Sequence, residues 1–266
     1  MDDISGNNRP DWRFAGVSVW VTGADTPVGA AASDMFEREG AKVLRSGVDG
    51  IPNPRTSAEA FAQTAGLDKI DILVTAVRSI SVKPLLESDA ADFDNAVADN
   101  LIGVFAAMQA AFLKMVDTAK PEPHSNGVML VVSSIHGEKP NGSAPLYSVA
   151  CGGLNMLVRE AAQEYGRLGV RVNLLAVGPL EGDPALFPSG ITAVYDDAEY
   201  KIPRQRLGTP EEAARAALML CSKDASFMNG ASVPCDGGYQ GFYMNADVER
   251  RLEAALAIGK EAGYGR

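Results

Sequence analysis

Val17-Ser18-Val19-Trp20-Val21 runs straight into Thr22-Gly23-Ala24-Asp25-Thr26-Pro27-Val28-Gly29 near the start of this 266-residue chain. Apart from Ser18, the first five residues are β-branched or aromatic, and they read as a short strand. Thr22-Gly23 begins a turn, and Gly29 to Gly40 has helical character. A strand, a glycine-bearing turn and a helix in that order suit a pyrophosphate. Backbone N–H groups and the positive helix end face the anion, and glycines let it come close. Two residues work against that use. Pro27 has no N–H and a fixed φ, and Asp25 adds a negative charge near the place a phosphate would take. The turn reads either as a weakened nucleotide site or as a strand-to-helix connection that holds none.

The alternation continues. Strand-like runs at residues 41–44, 70–74, 127–132 and 170–175 alternate with helical patterns over 94–115, 144–167 and 210–221. Pro210 at an early helical position, with Glu211-Glu212 in the first turn, marks a helix start. Such an order predicts an α/β fold, a Rossmann-like doubly wound parallel sheet that takes its ligands beyond the carboxyl ends of its strands. No repeat, low-complexity tract or linker divides the chain. The expected organisation is a flexible leader over residues 1–14, a single domain over 15–243 and a C-terminal helical extension over 244–266. In that extension Asn245 would cap a helix with Val248, Leu252 and Leu256 on one face.

Composition narrows the function. The chain is 46% hydrophobic and 22% charged, enough for a large α/β core. A net charge of −10 without a Lys/Arg run argues against nucleic acid and anionic membranes as partners. Three cysteines, Cys151, Cys221 and Cys235, make neither a disulfide framework nor a metal spacing, and only His124 and His136 are histidines, so no metal site is expected. The acidic N-terminus has no signal-peptide pattern and no 18-residue apolar run occurs, which makes a cytoplasmic location the expectation.

Val131-Val132-Ser133-Ser134-Ile135-His136-Gly137 and Tyr147-Ser148-Val149-Ala150-Cys151 carry the chemistry. Ser134 stands thirteen residues before Tyr147, after an apolar strand and at the start of a helix. This resembles the catalytic pair of short-chain dehydrogenase/reductases. Asn100, Thr22-Gly23, Asp236-Gly237-Gly238 and the segment 206–212 follow the same family in order, so the resemblance covers about residues 15–243. It implies Tyr147 as proton donor or acceptor for the substrate oxygen, Ser134 as its hydrogen-bond partner and Asn100 as organiser of a water relay. It also implies NAD or NADP, held through Gly23, Thr26, Gly29, Ala76 and Gly178.

The chain departs from the family mainly on the nucleotide side. Cys151 replaces the Lys that supplies positive charge near the phenol and binds the nicotinamide ribose. An ordinary phenol, with pKa about 10, is only ~0.1% ionised at pH 7, and each unit of lowering needs ~1.4 kcal/mol. A neutral thiol gives no such help and a thiolate would oppose it. Pro27 replaces the middle glycine of the turn, Gly47 stands where an acid or base would meet the ribose, and Thr75-Ala76-Val77-Arg78 replaces Asn-Asn-Ala-Gly. Val177 and Gly182 weaken the expected grip on the carboxamide. Residues 47–70, 24 in all, must hold what the family builds as helix, strand and helix. Two crossovers of ~10–12 residues and a strand of ~5 need more than that, so one strand–helix step is expected to be shortened there. His136 is a candidate replacement acid/base, since imidazole titrates near neutrality. Cys151 as a nucleophile is set against inert packing.

Three functions follow from the resemblance. One is a degenerate or weakly catalytic subunit, partnered in a homo- or hetero-oligomer with an active NAD(P)-dependent relative, in the metabolism of an alcohol or ketone, acyl-CoA or aromatic compounds included. Another is a self-sufficient atypical alcohol dehydrogenase or ketoreductase. The third is a cofactor-independent lyase resembling halohydrin dehalogenases and using Ser134 and Tyr147, although those enzymes carry Arg where this chain has Cys151. All three take a small-molecule substrate. Leu186, Phe187, Ile191 and Tyr195 in the irregular stretch 179–207 suggest an apolar or aromatic one.

Overall fold

Apolar runs become strands here, and the glycine, proline and polar breaks between them become turns. The computed structural model describes residues 13–77, 79–116, 126–140, 144–182 and 202–241. Among these, six strands form one sheet: β1 (Ser18–Thr22), β2 (Lys42–Ser46), β3 (Ile72–Thr75), β4 (Gly127–Ser134), β5 (Val170–Val177) and β6 (Ser232–Cys235). Their order is β2-β1-β3-β4-β5-β6, with every neighbouring pair parallel. The strand order reverses at β1, and a sheet of this kind takes its ligand in the crevice beside that reversal.

Both faces of the sheet are covered, so most strands are apolar along their length rather than alternating. One face carries Trp20, Leu73, Met129, Val131, Val172 and Leu174 under α2 (Ser57–Thr64), α4 (Gly103–Met115) and α5 (Pro145–Gly166). The other carries Val19, Val21, Ile72, Val74, Leu130 and Leu175 under α1 (Pro27–Arg38) and α6 (Pro210–Cys221). Phe14 belongs to this second core and meets Phe36 edge-on at 4.8 Å. The fold therefore takes in Arg13 and Phe14, the last two residues of the segment expected to be a leader. The expected C-terminal helix over 244–266 lies outside the described residues, as do residues 183–201 of the irregular stretch 179–207.

Residues 47–70 hold α2 and no further sheet strand, so the sheet ends at β2 and one strand–helix step is shortened as its length predicts. The sequence closes this end with buried polar links. Trp20 Nε1 donates to Ser46 Oγ at 2.9 Å, and Ser46 Oγ to Gln63 Oε1 at 2.7 Å, tying β1 and β2 to α2. Thr56 caps α2 in a capping box with Glu59.

The helix expected over 94–115 starts earlier, as α3 (Ala90–Val97), and passes through a π-helical turn at Ala98–Ile102 before α4. Ala90–Met115 is long and apolar enough to cross a membrane by length and composition. It is a core helix: Val104, Ala107, Met108, Ala111 and Met115 are buried against the sheet.

Two local features give stability predictions. Thr22 and Thr75 are register partners at the carboxyl ends of β1 and β3, and both hydroxyls are buried without a hydrogen-bond partner. An orphaned buried hydroxyl is costly and a methyl of the same shape is not. Thr75→Val should raise the unfolding free energy by about 1 kcal/mol in urea titration. At α6, Arg206 grips Glu212 with bonds of 2.8 and 2.6 Å, and the Thr209 N–H adds a third at 2.9 Å. These contacts, Arg206 first, pull the Glu212 carboxyl from 4.5 to about 2. A depressed carboxyl contributes stability above its unfolded value and loses it as the pH falls toward about 2. Glu212→Gln should flatten that part of an acid-unfolding curve.

Candidate active site

Ser134 ends β4 and caps the short 3-10 turn Ile135–Gly137. Its Oγ accepts the His136 N–H at 3.2 Å, leaving the hydroxyl proton to donate elsewhere. Tyr147 lies in the first turn of α5, which opens with a proline where the missing N–H costs nothing. Tyr147 is 3% exposed and clusters with Ala144 and Cys151, and Ile80 from the loop after β3 packs against that cluster. Cys151 is 1% exposed, one helical turn along. The serine turn and the tyrosine helix meet closely. A Cβ on Gly137 would stand 2.9 Å from the Cys151 carbonyl oxygen. Gly153 faces Leu101 of the π-helical turn, where a Cβ would stand 3.0 Å from a methyl.

Asn100 sits in the π-helical turn, fully buried, and its carboxamide is committed to backbone. Oδ1 accepts the Ser79 N–H at 2.8 Å, while Nδ2 donates to the Ser79 and Ala96 carbonyls at 2.7 and 3.0 Å. The residue after Ser79 is Ile80, which packs against the cluster of Ala144, Tyr147 and Cys151. Asn100 thus holds the loop that meets that cluster. His136 is half-buried, with Nδ1 2.9 Å from the Lys139 carbonyl, an arrangement that puts the ring proton on Nδ1. The Lys139 ammonium is turned to the C-terminal loop. It donates to the Tyr239 carbonyl at 2.9 Å and lies 4.4 Å over the Tyr239 ring. Arg159 is exposed.

Gly23, Thr26, Gly29 and Ala76 do come together, but largely onto one another. The Thr26 hydroxyl donates to the Gly23 carbonyl at 2.8 Å, with the Ala76 carbonyl at 3.1 Å, and accepts the Gly29 N–H at 3.1 Å. A Cβ on Gly29 would stand 2.0 Å from the Gly23 oxygen, and one on Gly23, whose φ is +74°, 2.4 Å from the Ala76 carbonyl carbon. Pro27 is N1 of α1, which explains a proline in the turn. Gly178 stands at the end of β5, with β3 and β4 between it and β1, and its N–H donates to Cys235.

The donor set at this turn does not fit a dinucleotide. Gly23 donates its N–H to Asn53 Oδ1 at 2.6 Å and Ala24 to the Ser46 carbonyl at 2.9 Å, while Pro27 has none to give. The Asp25 carboxylate lies against Gly47, where a Cβ would stand 2.3 Å from its Oδ1. Sequence reasoning missed Asn53 and Ile80. Asn53 had one signal, a polar residue between two prolines inside the shortened interval. Ile80 had none.

The profile of the family described as enoyl-(acyl carrier protein) reductase matches residues 13–240. A glucose 1-dehydrogenase of Gluconobacter oxydans is 28% identical over 259 residues, 85% of this chain and 92% of the relative. A tropinone reductase homolog of Arabidopsis thaliana is 30% identical over 212 residues, 76% of this chain and 74% of its own. Among solved structures, a gluconate 5-dehydrogenase of Burkholderia cenocepacia in complex with NADP and tartrate superposes with a TM-score of 0.78, at 23% identity, covering 88% of this chain and 98% of its own. The chain belongs to the short-chain dehydrogenase/reductase family, a class of small-molecule oxidoreductases.

The packing around Cys151 sets an expected outcome for restoring the family's lysine. Cys151→Lys places an ammonium in a site 1% exposed beside Ala144 and Tyr147. It should lower stability by roughly 2–4 kcal/mol, the cost of a cation whose pKa burial depresses by two or three units. Urea titration checks the first effect, and an assay for NADH or NADPH turnover should remain blank.

Proposed function

We propose that this chain is a weakly catalytic or non-catalytic subunit of a cytoplasmic oxidoreductase acting on a small alcohol or ketone, assembled with an active NAD(P)-dependent relative. The observation that carries this reading is the burial of Tyr147, 3% exposed, in a cluster with Ala144 and Cys151 against which Ile80 packs. The loop bearing Ile80 is clamped by Asn100. Ser134 is equally buried. The family's reaction needs a tyrosine that its substrate can reach.

The outer faces of α4 and α5 support the assembly part of the reading. Ile102, Phe105 and Leu113 follow helical spacing on the first, and Val149 and Met156 on the second, and all are exposed, Leu113 at 65% and Met156 at 54%. These are the two long helices through which the family resemblance implies pairing. Apolar side chains repeated along two adjacent faces are a feature of surfaces covered by a partner.

Co-purification from the native host followed by size-exclusion chromatography is the test. A second family member should elute with this chain, and Phe105→Asp should release it while leaving the far-ultraviolet spectrum unchanged. Tyr147→Phe should leave the activity of the assembly within about twofold of the parent, whereas a general acid/base contributes ~10²-fold or more. Turnover by the isolated chain that is lost in Tyr147→Phe would overturn the proposal in favour of a self-sufficient enzyme.

A further inference from the structure

The amide of Asn53 stands at the mouth of the glycine turn and makes the contacts of a ligand. Its Oδ1 accepts the Gly23 N–H at 2.6 Å and its Nδ2 donates to Asp25 Oδ1 at 3.3 Å. Gly47 leaves room for the pair, since a Cβ there would stand 2.3 Å from Asp25 Oδ1 and 3.0 Å from Asn53 Nδ2, at a φ of +99°. We propose that the segment 47–56 is a built-in plug of the nucleotide crevice, with the Asn53 carboxamide as the internal ligand of the Gly23 turn, so that the folded chain takes up no NAD or NADP.

The segment is anchored on several independent elements. At its base the Gly47 N–H donates to the Ile51 carbonyl at 2.6 Å and the Ile51 N–H to Val48 at 2.9 Å. In the middle, Gln63 of α2 donates to the Pro52 carbonyl at 2.8 Å. The Pro54 carbonyl lies on α4 where Gly103 has no side chain, a Cβ there falling 2.5 Å away. At its end Arg55 pairs with Asp99 of the π-helical turn at 2.9 Å, and the Arg55 N–H donates to Glu59 at 2.7 Å. Prolines on both sides of Asn53 restrict the unfolded chain, so holding the loop in place costs less entropy.

This arrangement opposes a nucleotide in two ways. A ligand on the turn must break the Gly23–Asn53 bond and displace a segment fixed to α2, α4 and the π-helical turn. The plug also holds Asp25 beside the turn, so a pyrophosphate would meet a carboxylate where it needs donors. Shortening the 47–70 interval and filling the crevice are one event. The chain that no longer builds an edge strand is long enough to fold back over β1 and β2.

Calorimetric titration of the full chain tests the plug apart from the tyrosine chemistry. NADH and NADPH should give no saturable heat with the parent protein up to about 1 mM. ADP-ribose, which does not depend on Cys151, should bind Asn53→Gly/Asp25→Ser at least about tenfold more tightly than the parent. A micromolar dissociation constant for the parent, or a folded double variant with no gain, would overturn the proposal. Hydrogen exchange of the parent covers the case in which the double variant fails to fold. The Gly23 amide should be protected and indifferent to NADH, and protection that rises on adding NADH would refute the plug.

Discussion

At Gly23 the first turn of the sheet and the loop after β3 are in direct contact, and the carboxyl end of the molecule is organised around that junction. The left-handed φ and the 2.4 Å approach of a Cβ to Ala76 admit no side chain there. Thr26 bonds across the junction to both sides and at the same time starts α1. The Gly23 N–H needs an acceptor, because a partly buried backbone donor is costly to leave unpaired. Asn53 supplies it, and the length of the 47–70 interval decides that the supplier comes from this loop.

The reaction end is built independently. Ser134 and Tyr147 are positioned by β4 and α5, and the close contact between their elements depends on Gly137 and Gly153 rather than on anything at the first turn. Asn100 links this end to the loop after β3 through the Ser79 backbone, and Ile80 of that loop packs against the Ala144, Tyr147 and Cys151 cluster. Different strands hold the glycine turn and the serine, so the two ends of the site are built separately.

Much of the architecture was legible because it rests on periodicity and chain length. Apolar runs gave the strands, the Pro and Glu at 210–212 gave a helix start, and counting residues between 47 and 70 gave the missing step. The substitutions Pro27, Cys151 and Thr75–Arg78 pointed to an altered nucleotide side. Phe14 escaped because a single aromatic after a polar stretch carries no period. The bonds of the Asn100 carboxamide to Ser79 escaped as well, because a partner twenty-one residues away leaves no local signal.

The sequence by itself determined the doubly wound class, the family resemblance and the residues at the ends of the strands, since these follow from local pattern and spacing. Tertiary structure decided what those residues face. Gly23 and Asn53 are thirty residues apart, and Ile80 meets the Ala144, Tyr147 and Cys151 cluster across an even longer separation. Contacts of that range are set by how strands order and helices pack, so no local property of the chain announces them.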